Sequence, residues 1–498
     1  MELYCLHPSD TVAVALRALP AGTVVPAGDG RLTLRESISF GHKVALQDIA
    51  MGQPVIKYGQ PIGVASEDIP AGAHVHTHNL RSTRASTLTA ATAPPSPFPT
   101  VPAPSPPSLS APVSFPGFRR PDGLAGTRNH ILVLPSVVCA NAAARRIAAA
   151  VPGVTVLPHP YGCSQLDAAR IRAVLAGLGR HPNVAAVLVV GLGCETVQAT
   201  ALAAEIAASG KPVEVLSIQN EGGISATVAR GADIVRGMRG MVEEAARQGR
   251  EPCSLADLIV GLECGGSDAT SGLVSNPVIG QVADRVVAAG GTVLLSETTE
   301  LMGAEHILAW RAANPEVARR IVEIVAAVEQ EALDAGTDLR GSQPTPGNMA
   351  GGVTTIEEKS LGCVYKAGSA PVQGVLDYGQ RPPGRGLYVM DTPGQDAESI
   401  TGMVAGGAQV ILFSTGRGTP LGAPLAPTIK LTANPQTATR MAEHVDLSVA
   451  SVLEGQSTVE EEGEKLWQLL LKVVGGQLTA AEKWGDGELA ISRAGPTV

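Results

Sequence analysis

Beyond residue 117, short apolar runs alternate with alanine-rich stretches, and no other feature of the sequence constrains the fold as much. Runs such as 130–135 (HILVLP), 185–193 (AAVLVVGLG) and 408–414 (AQVILFS) alternate with stretches such as 141–151 (NAAARRIAAAV). Continuous apolar runs joined by helix-length segments are typical of buried parallel strands. We therefore predict an α/β fold with two Rossmann-like parallel domains, 117–340 and 341–498, divided where 332–348 interrupts the alternation.

Residues 85–116 separate this region from the first part of the chain. Ten prolines lie between Pro94 and Pro116, and proline fixes φ and removes a hydrogen-bond donor, so we predict a linker. Residues 1–84 contain short apolar runs separated by glycine turns, which predicts a small β-rich domain of the clip or barrel type. A linker of this length lets that domain meet the rest of its own chain or of a partner.

Charge and composition exclude several classes of function. The 498 residues carry a net charge of −9, which argues against a nucleic acid as main partner. No apolar run reaches the roughly 18 residues of a membrane span, and the first residues lack the pattern of a secretory signal. The seven cysteines, odd in number and scattered, suit reduced thiols. We expect a cytoplasmic protein that forms a homodimer or a larger homo-oligomer.

A histidine-rich segment is the sharpest local signal. His74, His76 and His78 alternate along the chain, and in a strand such residues share one face. Three imidazoles on one face could bind a divalent metal, and His42 in the same domain could join them. The alternative is an exposed polar face that binds nothing.

Cysteines and glycine-rich loops follow several of the predicted strands. In parallel sheets, ligands bind beyond the carboxyl ends of the strands. Thiols there could bind iron, singly or in a cluster, although a small buried residue is the ordinary explanation for a cysteine. The loops 126–129, 263–268 and 414–420 offer hydroxyls and arginines that suit a carboxylate and sugar hydroxyls, or are simple turns. The strand-end cysteines are Cys139, Cys163, Cys194, Cys264 and Cys363.

Several long strings in the sequence are specific enough to indicate a family. They include GHKVALQDIAMGQPVIKYGQPIGVASEDIPAGAHVHTHNL, HPYGCSQ, LECGGSDATSGLVSNPVIG, TPGNMAGGVTTIEEKSLGCVYKAGSAP and LFSTGRGTP. Through them the sequence resembles the altronate/galactarate dehydratase family over its whole length apart from the linker. The first string resembles the N-terminal SAF domain of that family, and the others resemble its catalytic region.

The resemblance implies an enzyme that removes water from a sugar acid and leaves a 2-keto-3-deoxy acid. It implies Fe²⁺, or Mn²⁺ or another divalent ion, as cofactor, which would act as a Lewis acid. Altronate is the expected substrate. Galactarate dehydration and elimination of sulfite from a sulfolactate are alternatives within the family. A non-catalytic sugar-acid-binding protein is an alternative of another class, which a chelator would leave unaffected.

We place these functions on the matching residues of this chain. For the metal we predict His42, His74 and His76, and the rival is an iron–sulfur cluster on Cys163, Cys194 and Cys264. For proton transfer we predict Lys43, Lys366 and His76. The predicted substrate contacts are Arg128, Asn129, Ser267, Asp268, Ser414, Thr415 and Arg417.

Overall fold

The computed structural model describes residues 2–28, 30–84, 113–163, 166–247, 249–337 and 343–493. They form an N-terminal β domain followed by a mixed α/β region with parallel sheets. The strands are β1 (Leu3–Tyr4), β2 (Val12–Ala15), β3 (Val24–Ala27), β4 (Gly30–Thr33), β5 (Lys43–Ala45), β6 (Pro54–Lys57), β7 (Gln60–Ala65), β8 (His74–Val75), β9 (Leu80–Arg81), β10 (Ser114–Arg119), β11 (Ala125–Gly126), β12 (His130–Pro135), β13 (Thr155–Val156), β14 (Val184–Gly191), β15 (Val213–Ser217), β16 (Glu251–Ser254), β17 (Ile259–Cys264), β18 (Thr292–Leu295), β19 (Val372–Leu376), β20 (Gly386–Met390), β21 (Val410–Ser414), β22 (Thr428–Thr432) and β23 (Leu447–Ser448). The α-helices are Asn141–Ala149, Ala168–Arg180, Ala199–Ala207, Ile224–Ala246, Asn276–Ala288, Glu305–Trp310, Pro315–Asp334, Pro346–Ala350, Ile356–Val364, Asp396–Ala405, Pro435–Arg440, Val459–Val474 and Ala480–Trp484.

The N-terminal domain consists of short antiparallel strands. Its sheets have the orders β1-β2-β5-β8 and β6-β7-β9, and β3 pairs with β4. The repeated turn motif at 48–52 and 68–72 explains part of this arrangement. Gly52 and Gly72 both have φ of 82°, a conformation that glycine adopts without strain, and Ile49 and Ile69 pair across the two copies.

Two parallel sheets follow. The first has the order β13-β12-β14-β15, and the second has the order β19-β20-β18-β17-β21-β22-β23. The boundary expected near residue 340 does not divide these sheets, because β17 and β18 precede it and pair with β21 and β20, which follow it. Residues 332–348 interrupt the local pattern of the sequence, whereas pairing between strands decides which residues share a sheet.

The expected linker lies mostly outside the described residues, which resume at residue 113. Its last residues are not a linker, since β10 begins at Ser114 and pairs with β16. No helix among the described residues is long and apolar enough to cross a membrane.

The N-terminal domain packs on the seven-stranded sheet through a shared core. One set of buried apolar side chains runs from Val12 and Ile62 of that domain to Val260 and Leu412 of the sheet. Because every strand of this sheet is parallel to its neighbours, the loops after β17, β18, β20, β21 and β22 all lie at one edge. The site described next lies where this edge meets the N-terminal domain.

Candidate active site at the domain junction

A cleft of about 520 Å³ lies between the N-terminal domain and the seven-stranded sheet. Ser39 and Phe40 line it from the domain, and Asp268, Arg417 and Arg440 line it from the sheet side. Both arginines are exposed. The cleft therefore offers two guanidinium groups to an anionic ligand.

Three of the predicted histidines lie together at this junction. Nδ1 of His42 is 2.9 Å from Nε2 of His74, and the ring centroids of His42, His74 and His76 are 4.9–5.3 Å apart. Nε2 of His42 is 3.3 Å from the carbonyl oxygen of Ala350, and Nε2 of His76 is 3.0 Å from that of Met349. His42 and His76 thus contact the end of the helix Pro346–Ala350, and Ala350 of that helix lines the cleft.

The sequence pattern predicted that the histidines would share one face of a strand, but they do not. Strand β8 ends at Val75 because Asn79 draws the backbone into a turn: its Oδ1 accepts from the His76 N–H and its Nδ2 donates to the His74 carbonyl. His78 is exposed on that turn, with its ring centroid 5.5 Å from that of His74. His42, which directly precedes β5, joins the group from the neighbouring strand's end.

The histidines are suited to bind a divalent ion because they are neutral. Burial lowers the pKa of His42 and of His76, and burial followed by the neighbouring His42 and His76 lowers the pKa of His74 to about 3. A neutral imidazole has a free lone pair. The 2.9 Å contact between His42 and His74 is a hydrogen bond between the two rings, so an ion bound to both nitrogens would replace its proton. Among the described residues, the three histidines are not one of the groups whose ligand atoms all lie within 4.8 Å of one another.

A buried ion-pair network attaches β5, which begins directly after His42, to the rest of the chain. Both oxygens of Glu358 accept hydrogen bonds, one from Lys43 and one from Lys57, each at 2.8 Å. Lys43 also donates to the Gly352 carbonyl at 2.8 Å. Burial alone would raise the pKa of Glu358, but the two ammonium groups hold it well below its usual value. With these partners, Lys43 positions His42.

The loops at the carboxyl edge are held by a second polar network. Asp268 accepts from the backbone N–H and hydroxyl of Thr270 and from Nδ2 of Asn434. Asn348 donates to the Ser267 carbonyl at 2.7 Å, and Arg417 donates to the Gly347 carbonyl at 3.1 Å. The structure therefore brings the predicted Ser267, Asp268 and Arg417 to the cleft or its wall. Ser414 and Thr415 are buried behind them.

A buried cluster of thiols and carboxylates lies at the same edge, and a cation already occupies it. Ligand atoms of Cys264, Glu297, Glu300 and Cys363 lie within 4.8 Å of one another. Nζ of Lys366 lies among them, 3.1 Å from each sulfur and hydrogen-bonded to Glu297. Although burial opposes it, these neighbours raise the pKa of Lys366. A metal ion could bind here only by displacing that ammonium group.

A second group of carboxylates adjoins this cluster. Oxygens of Glu263, Glu297 and Asp396 lie within 4.8 Å of one another, and Glu297 has a left-handed backbone with φ of 67°. Such conformations in non-glycine residues concentrate at functional sites. Burial, followed by the charges of Glu297 and Glu300, raises the pKa of Asp396 to about 7.

Arg128 and Asn129 do not lie at the cleft. They precede β12 and therefore lie at the amino end of the other sheet. Arg128 is paired with Glu482 and donates to the carbonyl oxygens of Val473 and Gln477. Asn129 accepts from Arg120. The glycine-flanked hydroxyls and arginine that suggested a ligand loop instead hold the C-terminal helices in place.

The three cysteines of the rival cluster lie in two different sheets. Cys264 is buried at the end of β17, whereas Cys163 and Cys194 are exposed near the four-stranded sheet. A cluster bound to all three would have to join a buried sulfur at one sheet to exposed sulfurs at the other.

Several residues of the junction were not predicted. They are Lys57, Glu358, Asn434, Arg440 and Asp396. Glu358 lay within one of the family-like strings (TTIEEKSLGC), but nothing in that string separates it from the neighbouring Glu357. The position of Asn434 directly after a buried strand was a usable signal.

Comparison with known proteins agrees with this architecture. Residues 1–83 match the altronate/galactarate dehydratase SAF domain, residues 117–245 match the second domain of D-galactarate dehydratase/altronate hydrolase, and residues 255–497 match the C-terminal domain of D-galactarate/altronate dehydratase. The altronate dehydratase of Escherichia coli is 38% identical over all of both chains.

The chain belongs to the altronate/galactarate dehydratase family. Two other similar proteins carry names that refer to other substrates. The galactarate dehydratase of Escherichia coli is 35% identical over 99% of this chain and 96% of its own. The beta subunit of (2R)-sulfolactate sulfo-lyase from Chromohalobacter salexigens is 40% identical over 76% of this chain and 97% of its own. As a member of this dehydratase family, the protein is a hydro-lyase.

Proposed function

We propose that this enzyme dehydrates D-altronate to 2-keto-3-deoxy-D-gluconate at the cleft of the domain junction. The observation that carries the proposal is that Arg417 and Arg440 line one cleft with Asp268 and Asn434. The group of three histidines contacts Met349 and Ala350, and Ala350 lines the same cleft. Similarity to an altronate dehydratase over the full length of the chain supports the choice of substrate.

The polar groups of the cleft match the parts of a sugar acid. A guanidinium group binds a carboxylate through paired hydrogen bonds, which suits Arg417 or Arg440. The amide of Asn434 and the carboxylate of Asp268 can bind hydroxyl groups. Asp268 is buried and its carboxylate is held by hydrogen bonds from Thr270 and Asn434, so it is oriented before a ligand binds.

Dehydration requires a base for the C2 proton and an acid for the departing 3-hydroxyl. We assign proton acceptance to His76, because burial lowers its pKa and leaves the ring neutral. Lys43 positions the adjacent His42 through Glu358 and Gly352. We assign Lys366 a structural part, since its ammonium group is fully paired within the buried cluster. The proton accepted by His76 passes to the departing 3-hydroxyl, which leaves as water, and the enol that remains converts to the 2-keto acid.

His42 and His74 are the residues that we propose to hold a divalent ion. Such an ion, Fe²⁺ or Mn²⁺, would stabilise the negative charge that develops on the substrate carboxylate and 2-hydroxyl. The closeness of the two rings supports this assignment, since the ion would replace the proton of the hydrogen bond between them.

Galactarate is the second candidate substrate. It has a carboxylate at each end, and the cleft has two exposed guanidinium groups, Arg417 and Arg440. If galactarate is the substrate, each arginine binds one end.

The test is an anaerobic assay of 2-keto acid formation with Fe²⁺, on D-altronate and on galactarate. For Arg417→Ala and Arg440→Ala we expect KM to rise at least about tenfold for the substrate, since a lost hydrogen bond to a charged group costs about 1.5–3 kcal/mol. Arg236→Ala, on an exposed helix face, is the matched control and should leave KM unchanged. Absence of keto acid from both substrates, or sulfite release from sulfolactate as the sole activity, would contradict the proposal.

A further inference from the structure

Three exposed cysteines follow three neighbouring strands of the four-stranded sheet. Cys139 follows β12, Cys163 follows β13 and Cys194 follows β14. The sheet order is β13-β12-β14, and both pairs are parallel. The three cysteines therefore lie along the carboxyl edge of one sheet, where ligands of such sheets bind.

Direct contacts join the loops that carry them. The backbone N–H of Val138 donates to the Tyr161 carbonyl at 2.7 Å, which places Cys139 beside the loop of Cys163. The Ser136 hydroxyl donates to Glu195 at 2.9 Å, which places the same β12 loop beside Cys194. The β12 loop thus lies between the other two.

The cysteines lie near helix starts and a polar side chain. The helices Asn141–Ala149 and Ala199–Ala207 begin shortly after Cys139 and Cys194. Nε2 of Gln219 donates a hydrogen bond to the sulfur of Cys194 at 3.6 Å. Hydrogen bonds to sulfur are one means by which proteins adjust iron–sulfur clusters.

We propose that Cys139, Cys163 and Cys194 bind a [4Fe–4S] cluster. On a single ion with bonds of about 2.3 Å, thiolate sulfurs lie about 3.8 Å apart, and these three sulfurs are not among the described ligand groups that fit within 4.8 Å. A cluster of several irons holds its thiolates further apart. Each thiol loses its proton on binding, and iron and sulfide come from outside the protein.

Three thiolates leave one iron of such a cluster without a cysteine. That iron is open to an oxygen ligand, such as the carboxylate or hydroxyl of a hydroxy acid. This site differs from the cluster predicted from the sequence, which used Cys264 where this one uses Cys139. It does not depend on the proposed histidine centre, which lies in the N-terminal domain.

The experiment is anaerobic reconstitution of the full-length protein with iron and sulfide, followed by iron and sulfide analysis and visible absorption spectroscopy. We expect about four irons and four sulfides per chain and a broad visible absorption band. Cys139→Ser, Cys163→Ser and Cys194→Ser should each lose most of both. Cys5→Ser removes an exposed thiol elsewhere and should keep the cluster, as should His74→Ala.

Thermal melting of each reconstituted variant shows whether it is folded. Uptake of iron without sulfide, no uptake at all, or a cluster retained in a folded Cys139→Ser variant would overturn the proposal. Equal loss in Cys5→Ser would overturn it as well, because the cluster would then be adventitious. Loss of the cluster in His74→Ala would show that the iron is bound at the histidine centre instead.

Discussion

At the scale of single residues, Glu358 connects the N-terminal domain to the site. It accepts hydrogen bonds from Lys43 and Lys57, and all three side chains are at most 1% exposed. The stability of this buried group requires all three charges, because removing one partner leaves a buried charge uncompensated. The carboxylate is the central group, since within the described part of the chain each lysine pairs with no other acidic side chain.

We predict that Glu358→Gln lowers the free energy of unfolding by about 3 kcal/mol or more. Lys43→Met should cost less, because the pair of Lys57 with Glu358 remains. Glu244→Gln, whose side chain is 71% exposed in its pair with Arg247, should cost less than about 1 kcal/mol. Calorimetric melting measures all three changes. Similar losses for Glu358→Gln and Glu244→Gln would contradict the prediction.

At the scale of elements, two glycines allow three segments to meet. Gly272, in the π-helical segment Ser271–Ser275, faces Gly362 of the helix Ile356–Val364, and the hydroxyl of Tyr58 lies against both. A Cβ on Gly272 would lie 2.9 Å from the Gly362 Cα and would overlap the Tyr58 hydroxyl. The closeness of this packing keeps the N-terminal domain against the sheet.

We predict that Gly272→Ala lowers the melting temperature by several degrees and reduces activity, because the domain must move away from the cleft. Adding Tyr58→Phe should restore part of the loss, since it removes the overlapping oxygen. Gly237→Ala is the matched control. It lies in the helix Ile224–Ala246 with no atom within 4 Å of its would-be Cβ, so it should stabilise by about 0.4–1 kcal/mol. A melting temperature for Gly272→Ala equal to that of the wild type would show that the contact is not tight.

At the scale of the whole molecule, the N-terminal domain is held by contacts spread along it. Glu358 binds Lys43 and Lys57. Farther along, Glu357 accepts from Ser82 and Thr83. The shared apolar core lies between these polar contacts.

We predict that the two parts stay together after the chain is cut between residues 85 and 112. A protease site inserted in that segment should yield two pieces that co-elute in size-exclusion chromatography and retain activity. In the Glu358→Gln background the cut pieces should separate more readily, whereas the uncut variant keeps its elution volume. Separation of the cut wild-type pieces would show that covalent linkage, and not the interface, holds the domain.

Much of the architecture was predictable from the chain alone because it depends on local pattern. Apolar runs such as those of β12 and β21 indicated parallel strands, and the glycine turns around Ile49 and Ile69 indicated a β domain. Long specific strings indicated the family. His74 and His76 could be proposed together because they alternate along the chain, and His42 because it lies in the same small domain.

The tertiary structure decided what depends on approach between distant residues. Pairing of β17 with β21 placed strands from both sides of residue 340 in one sheet. The residues next to Arg128 suggested a substrate contact. Its actual partner is Glu482, which lies far along the chain and which the local sequence could not indicate. In the sequence, nothing distinguishes Glu358 from other helical glutamates. Its importance comes from Lys43 and Lys57, which pair with it in the folded chain. Sequence patterns report periodicity and residue type, whereas the charge and access of a side chain depend on which distant groups fold against it.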